Sequence, residues 1–419
     1  MTFTIILLFL NIPVFVSVLT GSMTYFLHSS TPPQIIVQRL CAGLESVPLL
    51  AVPFFVCTGV FMNSSGVTKR IMDFCYVLTK RLPGGLAQVN ILLSTFMGGL
   101  SGSALADSAM QSKMLVPEME AKGMHKGFST VVTAFSSCIT PLIPPGIGMI
   151  LYGSIANVSI GKLFVAGISV GIFLCMFMMI VTHFIAKKRG YVANSTDKMA
   201  AAEFWAALKK AIIPLCLPII IIGGIRIGVF TPTEAGAIAI LFSLILGFMY
   251  KELNLQRIVE GIKETMITTA AIMLIVGAAS TFAWVLTKER IPQELTQWMI
   301  SHVENKYIFL LLVNLFLLVV GMFIEGNAAT IVLVPLLAPI AAAYGINEIQ
   351  FAFVFIFNMA VGAITPPMGT LMFVTCGITG CKMKEFQKAA IPYYGLMIGL
   401  LLLITFVQWV TTGLVNLIY

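Results

Sequence analysis

Two carboxylates stand in stretches that suit neither a loop nor a plain membrane helix. Asp107 closes the run Gly98-Gly-Leu-Ser-Gly-Ser-Ala-Leu-Ala-Asp107, and Glu325 opens Glu325-Gly-Asn-Ala328, both inside otherwise apolar segments. Irregular backbone survives at membrane depth only where it is buried in protein or lines a polar cavity, and an ionisable group there is a functional candidate because its charge is costly. Each stretch is followed by a proline cluster, Thr140-Pro-Leu-Ile-Pro-Pro145 and Thr365-Pro-Pro367. Proline removes an amide donor and leaves a carbonyl unpaired, and carbonyls freed where a helix is interrupted suit a sodium ion. Half-helix N-termini at the Gly/Ser turns suit the opposite charge, an anion. Ser101, Ser103, Asn327 and Thr330 are neutral hydrogen-bond groups beside those turns, and Asn358 is the polar group of the second broken segment. Asp107 and Glu325 have the wrong sign to hold an anion directly. Capping backbone amides or reinforcing a cation site fits them better.

Catalysis is not expected. The two carboxylates fall on separate turns without a nucleophile–base pair. The four histidines, His28, His125, His183 and His302, and the eight scattered cysteines form no metal-ligand or CxxC spacing, so sodium is the only metal ion considered and no organic cofactor is implied.

The elements that must position these residues occur twice. An offset of 222 residues carries Gly99 onto Gly321, Ser103 onto Glu325, Pro117 onto Pro339, Gly123 onto Gly345, and Pro144-Pro145 onto Pro366-Pro367. Paired, interrupted hydrophobic elements in corresponding positions point to a transporter's binding site. With 58% hydrophobic and 10% charged residues the chain is a polytopic membrane protein. Runs of spanning length occur at about 3–27, 48–66, 161–186, 208–228, 235–250, 265–286 and 391–416, the first read as a retained helix and not a signal peptide. The net charge of +8 collects in short connectors such as Lys69-Arg70, Lys122 to Lys126, Lys187-Lys188-Arg189 and Lys382 to Lys388. That is the positive-inside pattern and not a nucleic-acid face. Placing those connectors in the cytoplasm makes 86–120 a re-entrant hairpin from inside and 308–344 one from outside, each followed by a broken helix, 128–153 and 350–378. The division expected is an N-terminal scaffold and arm (1–85), a first transport repeat (86–160), scaffold helices with a cytoplasmic loop at 187–210 and a second arm (161–307), a second transport repeat (308–380), and a C-terminal helix (381–419). The connectors at 69–81 and 288–306 read as amphipathic arms. Arg226 and Glu234 could pair, although Thr231 to Glu234 also reads as a capping box.

Gly99-Leu-Ser-Gly-Ser-Ala-Leu-Ala-Asp107, Pro117 with Gly123, Ile143-Pro-Pro145, Thr231-Pro-Thr-Glu-Ala235, Asn358 to Pro367 and Gly369, in that order along nearly the whole chain, resemble the large membrane subunit of the tripartite ATP-independent periplasmic (TRAP) transporters. The resemblance implies an all-α elevator-type transporter with two inverted repeats, in which hairpins and broken helices move as a body against a scaffold in the bacterial inner membrane. It implies sodium-driven import of an organic acid such as a C4-dicarboxylate, sialic acid or a sugar acid, with two partners: a small membrane subunit and a periplasmic substrate-binding protein. Carried over residue by residue, sodium-site backbone falls at Gly98, Thr140, Ile143 and Pro145, and at Gly321, Gly362 and Thr365, while Ser101, Ser103 and Asp107 match the family's polar hairpin tip. Here Gln111-Ser112-Lys113 follows Asp107 where small apolar residues are usual, Glu325 replaces the more usual Asp, and Gly146 replaces Ser. These departures bear on the substrate. A carboxylate symporter that works without a binding protein is the nearest alternative. An ion channel is disfavoured because hairpins from opposite sides would occlude a continuous pore.

Overall fold

The computed structural model describes residues 7, 12–29, 31–193 and 201–419, with the side chain of Ser101 outside that description. Residues 3–6 and 8–11 of the expected first span, and 194–200 of the expected cytoplasmic loop, lie outside the described residues. Among those described, every regular element is helical: α1 (Val14–His28), α2 (Gln34–Leu44), a 3-10 turn (Val47–Leu50), α3 (Ala51–Ser64), α4 (Val67–Thr79), α5 (Gly85–Ser101), α6 (Ala104–Ala121), α7 (Lys126–Ser136), α8 (Ile147–Ala156), α9 (Ile160–Lys188) and α10 (Ala201–Arg226). They continue with α11 (Pro232–Met249), α12 (Leu255–Lys288), α13 (Ile291–His302), α14 (Lys306–Phe323), α15 (Gly326–Ala343), α16 (Glu348–Ile364), α17 (Thr370–Thr379), α18 (Met383–Phe406) and α19 (Trp409–Ile418). Eight helices among the described residues are long and apolar enough to span a membrane. The chain is a multi-pass membrane protein.

Local chemistry explains where helices begin and end. Ser159 caps α9, which closes on Lys187 and Lys188, cations that favour a helix C-terminus. Thr231 and Glu234 form the reciprocal capping box of α11. Glu234 is thereby committed to its own helix, and the ion pair considered with Arg226 is not among those of the described residues. α4 buries Val67, Ile71, Phe74 and Cys75 along one face, as an amphipathic arm must, and packs on α5 and α10.

The repeat is visible in the element boundaries. Moved by 222 residues, α6 superimposes on the bounds of α15 to the residue, α7 starts where α16 starts, and α5 ends where α14 ends. Pro117 and Pro339 lie inside the outgoing arms α6 and α15 without ending them. The peptide bonds Pro144–Pro145 and Pro366–Pro367 are both cis.

The contacts fix how the repeats lie. α7 leaves the base of the first hairpin and runs with α5, where Asn90 and Ser136 bond at 2.7 Å, to the tip, where Thr140 reaches Asp107 at 3.1 Å. α8 then runs beside α15 and away from the second tip, with the Tyr152 ring tilted against Phe355 at 6.1 Å between centroids. In the mirror arrangement α16 follows α14, with Asn314 and Asn358 bonded at 2.7 Å, and α17 runs beside α6 back to the first base, where Thr379 meets Thr130 at 3.1 Å. Each broken helix therefore joins the base of one hairpin to the base of the other, so the hairpins enter from opposite ends. The two broken helices meet where the Cys138 thiol donates to the Ala360 carbonyl at 3.5 Å, a pair 222 residues apart, as the axis of a two-fold repeat requires.

Several boundaries differ from expectation. α2 is a helix the hydrophobic runs did not indicate, because Gln34, Gln38 and Arg39 dilute it. The first helix break is longer, 137–146 against 365–369. The expected C-terminal helix is two, α18 and α19, parted at Val407 and Gln408.

Candidate functional site

Both hairpin tips and both helix breaks open onto one cavity of about 530 Å³, closed on its far side by a stripe of α3 (Val56, Gly59, Val60, Asn63) and a stripe of α12 (Glu264, Thr268, Ala271, Ile275). Four helices, α6, α8, α15 and α17, begin at this cavity. Two of them are capped by their own side chains: Ser103 accepts from the Ala106 amide at 3.3 Å, and Glu325 accepts from the Asn327 and Ala328 amides at 3.0 and 3.1 Å. The other two, α8 and α17, start at Gly146 and Gly369 with no side-chain cap. The first-turn amides of Ile147, Gly148, Thr370 and Leu371, by position without an intrahelical acceptor, belong to residues lining a space that no Lys or Arg among the described residues lines, while the Met149 N–H already donates to the Gly146 carbonyl at 3.1 Å. Asn327 lies across from the start of α8, and Thr330 and Thr370 complete the neutral polar lining.

Asp107 does not line this cavity. It is buried behind the first tip, where it accepts from Ser94 (2.7 Å), Gln111 (2.7 Å) and Thr140 (3.1 Å), tying together both hairpin arms and the broken helix. Hydrogen bonds to a charged group contribute roughly 1.5–3 kcal/mol each, comparable in sum with the several kcal/mol that desolvating one ion costs. No cation side chain pairs with it among the described residues.

The backbone positions anticipated for sodium are brought together in two groups. In the first, a Cβ at Gly98 would lie 3.0 Å from the Thr140 carbonyl oxygen and 2.8 Å from the Ile143 Cβ, so only glycine lets the strand of carbonyls through Pro145 approach α5. Pro144 and Pro145 have no N–H to offer the carbonyls of Thr140 and Pro141. In the second, Gly321 and Gly362 touch backbone to backbone, a Cβ on Gly362 falling 2.6 Å from the Gly321 Cα, and Thr365 follows where Pro366 and Pro367 withhold their amides.

Other expected residues lie elsewhere. Glu325 is at the cavity as a helix cap. Asn358, anticipated at the substrate, is instead fully buried on α16 against α14, donating to Asn314 and to the Val354 carbonyl at 2.7 Å each, because the helix face it occupies turns toward the incoming arm of the second hairpin. Sequence reasoning missed Asn63, Glu264 and Thr268. The period of the α12 stripe, Glu264 to Thr268 to Ala271, is legible in the sequence, but which side of a spanning helix faces the tips is set by tertiary packing.

Paired opposed hairpins, crossed broken helices and a shared cavity with open helix N-termini define a membrane transporter. The chain belongs to the family described as "Tripartite ATP-independent periplasmic transporter, DctM component", which matches residues 1–410. It is 39% identical over 388 residues to the sialic acid TRAP transporter large permease protein SiaM of Vibrio cholerae, covering 92% of this chain and 90% of that one. It is 34% identical to the C4-dicarboxylate TRAP transporter large permease protein DctM of Pseudomonas aeruginosa, covering 95% and 93%. The 2,3-diketo-L-gulonate TRAP transporter large permease protein YiaN of Escherichia coli is 33% identical, covering 93% and 91%. In fold the chain is similar to the YdaH transporter of Alcanivorax borkumensis, with a TM-score of 0.63 over 92% of this chain and 90% of that one at 15% identity.

Proposed function

We propose that this chain is the inner-membrane permease of a sodium-driven importer of an organic acid, working with a small membrane subunit and a periplasmic binding protein that delivers the acid. The observation that carries the reading is that α8 and α17 both start, without a side-chain cap, at one cavity that no basic residue lines among the described residues. A carboxylate placed there receives N–H donors and the positive ends of two helix dipoles. Relatives named for sialic acid, a C4-dicarboxylate and a diketogulonate support an organic anion as cargo.

Sodium is assigned to the two carbonyl groups behind the tips. The first comprises the backbone of Gly98, Thr140, Ile143 and Pro145, with Asp107 linked through Thr140; the second comprises Gly321, Gly362 and Thr365. A cation beside Asp107 offsets its charge, and a cation at either break locks a hairpin tip against a broken helix. Each ion then helps build the turn that presents the anion's amides, which is the coupling a symporter needs. The two repeats, 86–160 and 308–380, interlock through α6 with α17 and α8 with α15 and would move as one body along α3 and α12.

The test is uptake of a labelled acid by proteoliposomes holding the complete three-part transporter. An inward sodium gradient should drive accumulation, and replacing sodium by potassium on both sides should abolish it. Accumulation that persists without sodium would refute the coupling.

A further inference from the structure

Glu264 belongs to none of the roles above. It stands one turn before Thr268 on the α12 stripe that faces the hairpin tips, is exposed to the cavity, and has no ion-pair partner among the described residues. Asn63, at the end of the α3 stripe, lines the same cavity. The cavity thus has a donor-rich wall, the open amides of α8 and α17, and a scaffold wall whose polar groups are an unneutralised carboxylate, an amide and a hydroxyl. The other cavity carboxylate, Glu325, already accepts from two amides of its own helix. Glu264 has no such donors.

Resting on the organic-anion reading, we propose that Glu264 is a specificity-determining residue that rejects a second negative charge on the cargo. One carboxylate is held at the helix N-termini. The remainder of the molecule faces Glu264, which repels another carboxylate and accepts hydrogen bonds from hydroxyls. The cargo favoured is a monocarboxylate with a hydroxyl-bearing body, such as a sugar acid, and the cargo disfavoured is a dicarboxylate. Like charges facing each other across one cavity repel, and that repulsion acts on a second carboxylate but not on a hydroxyl.

Binding to the detergent-purified membrane complex, measured by calorimetry in sodium and without the binding protein, isolates this selectivity from that of delivery. Gluconate and succinate are the probes. The wild-type complex should bind gluconate more tightly than succinate. Glu264→Gln should strengthen succinate binding at least tenfold while moving gluconate much less, and Glu264→Asp should keep the wild-type order. Because Glu264 is exposed, the variants should retain the wild-type unfolding temperature, which verifies that the binding change is not a folding defect. A wild type that prefers succinate, or a Glu264→Gln variant with an unchanged ratio, overturns the proposal and leaves the anion reading standing. Sodium-dependent binding of neither acid overturns the proposal, and the anion reading is then judged by sodium-driven uptake of a labelled acid in the complete three-part transporter.

Discussion

Asp107 is held by three donors and, among the described residues, no cation side chain, and it lies behind the cavity wall. Its charge can therefore act on an ion at the Gly98–Thr140 backbone more readily than on cargo. Asp107→Asn keeps the shape and removes the charge. The sodium concentration for half-maximal transport should rise about tenfold, equivalent to ~1.4 kcal/mol, while the binding protein's own affinity for the acid is unchanged. Unaltered sodium dependence would reduce Asp107 to a structural tie between the hairpin arms. At the second break, Gly362→Ala drives a methyl into the Gly321 backbone. Overpacking of this kind costs about 1–3 kcal/mol, so both the unfolding temperature and the response to sodium should fall; a wild-type melting curve would contradict the close approach. Asp107 and the proline clusters after Thr140 and Thr365 stand out in the sequence because a charge and paired prolines interrupt apolar segments, whereas the sodium-site positions within them, Gly321 included, come from the family resemblance. Asn358 and Glu264 were misjudged or missed because a polar residue on a spanning helix acquires its role from the face that packing turns inward.

At the scale of elements, the expected segments 86–120, 128–153, 308–344 and 350–378 match the outer limits of the hairpins and broken helices to within three residues, since the apolar runs and the breaks at Pro144-Pro145 and Pro366-Pro367 recur with the repeat. The irregular pieces were less legible. α2 has too many polar residues to read as an apolar run, and Val407-Gln408 parts the C-terminal segment without a glycine or proline to mark it. The opposed hairpins lead to a direct check. Ala121 and Ala343 end the two outgoing arms, correspond under the repeat, and are both exposed. In a cysteine-depleted chain, Ala121→Cys should react with a membrane-impermeant thiol reagent only from the cytoplasmic side, where Lys122 and Lys126 place that base by the positive-inside bias. Ala343→Cys should react only from the opposite side. Labelling of both from one side would remove the inverted arrangement.

Across the whole molecule, the interlocked repeats put the cavity between a body made of hairpins and broken helices and a face made of α3 and α12. Such a face gives the cavity its second wall, and a cavity rather than a pore is what an alternating carrier needs. The mechanism proposed joins cargo held at helix N-termini, ions held at the carbonyls behind them and delivery by a separate protein. The measurement that tests it most directly is reconstitution of this chain in liposomes under an inward sodium gradient, alone and then with the small subunit and the acid-loaded binding protein. The account predicts little uptake from the chain with free acid and rapid, sodium-dependent uptake once both partners are present. Full uptake of free acid by the chain alone would contradict it and identify a self-sufficient carboxylate symporter.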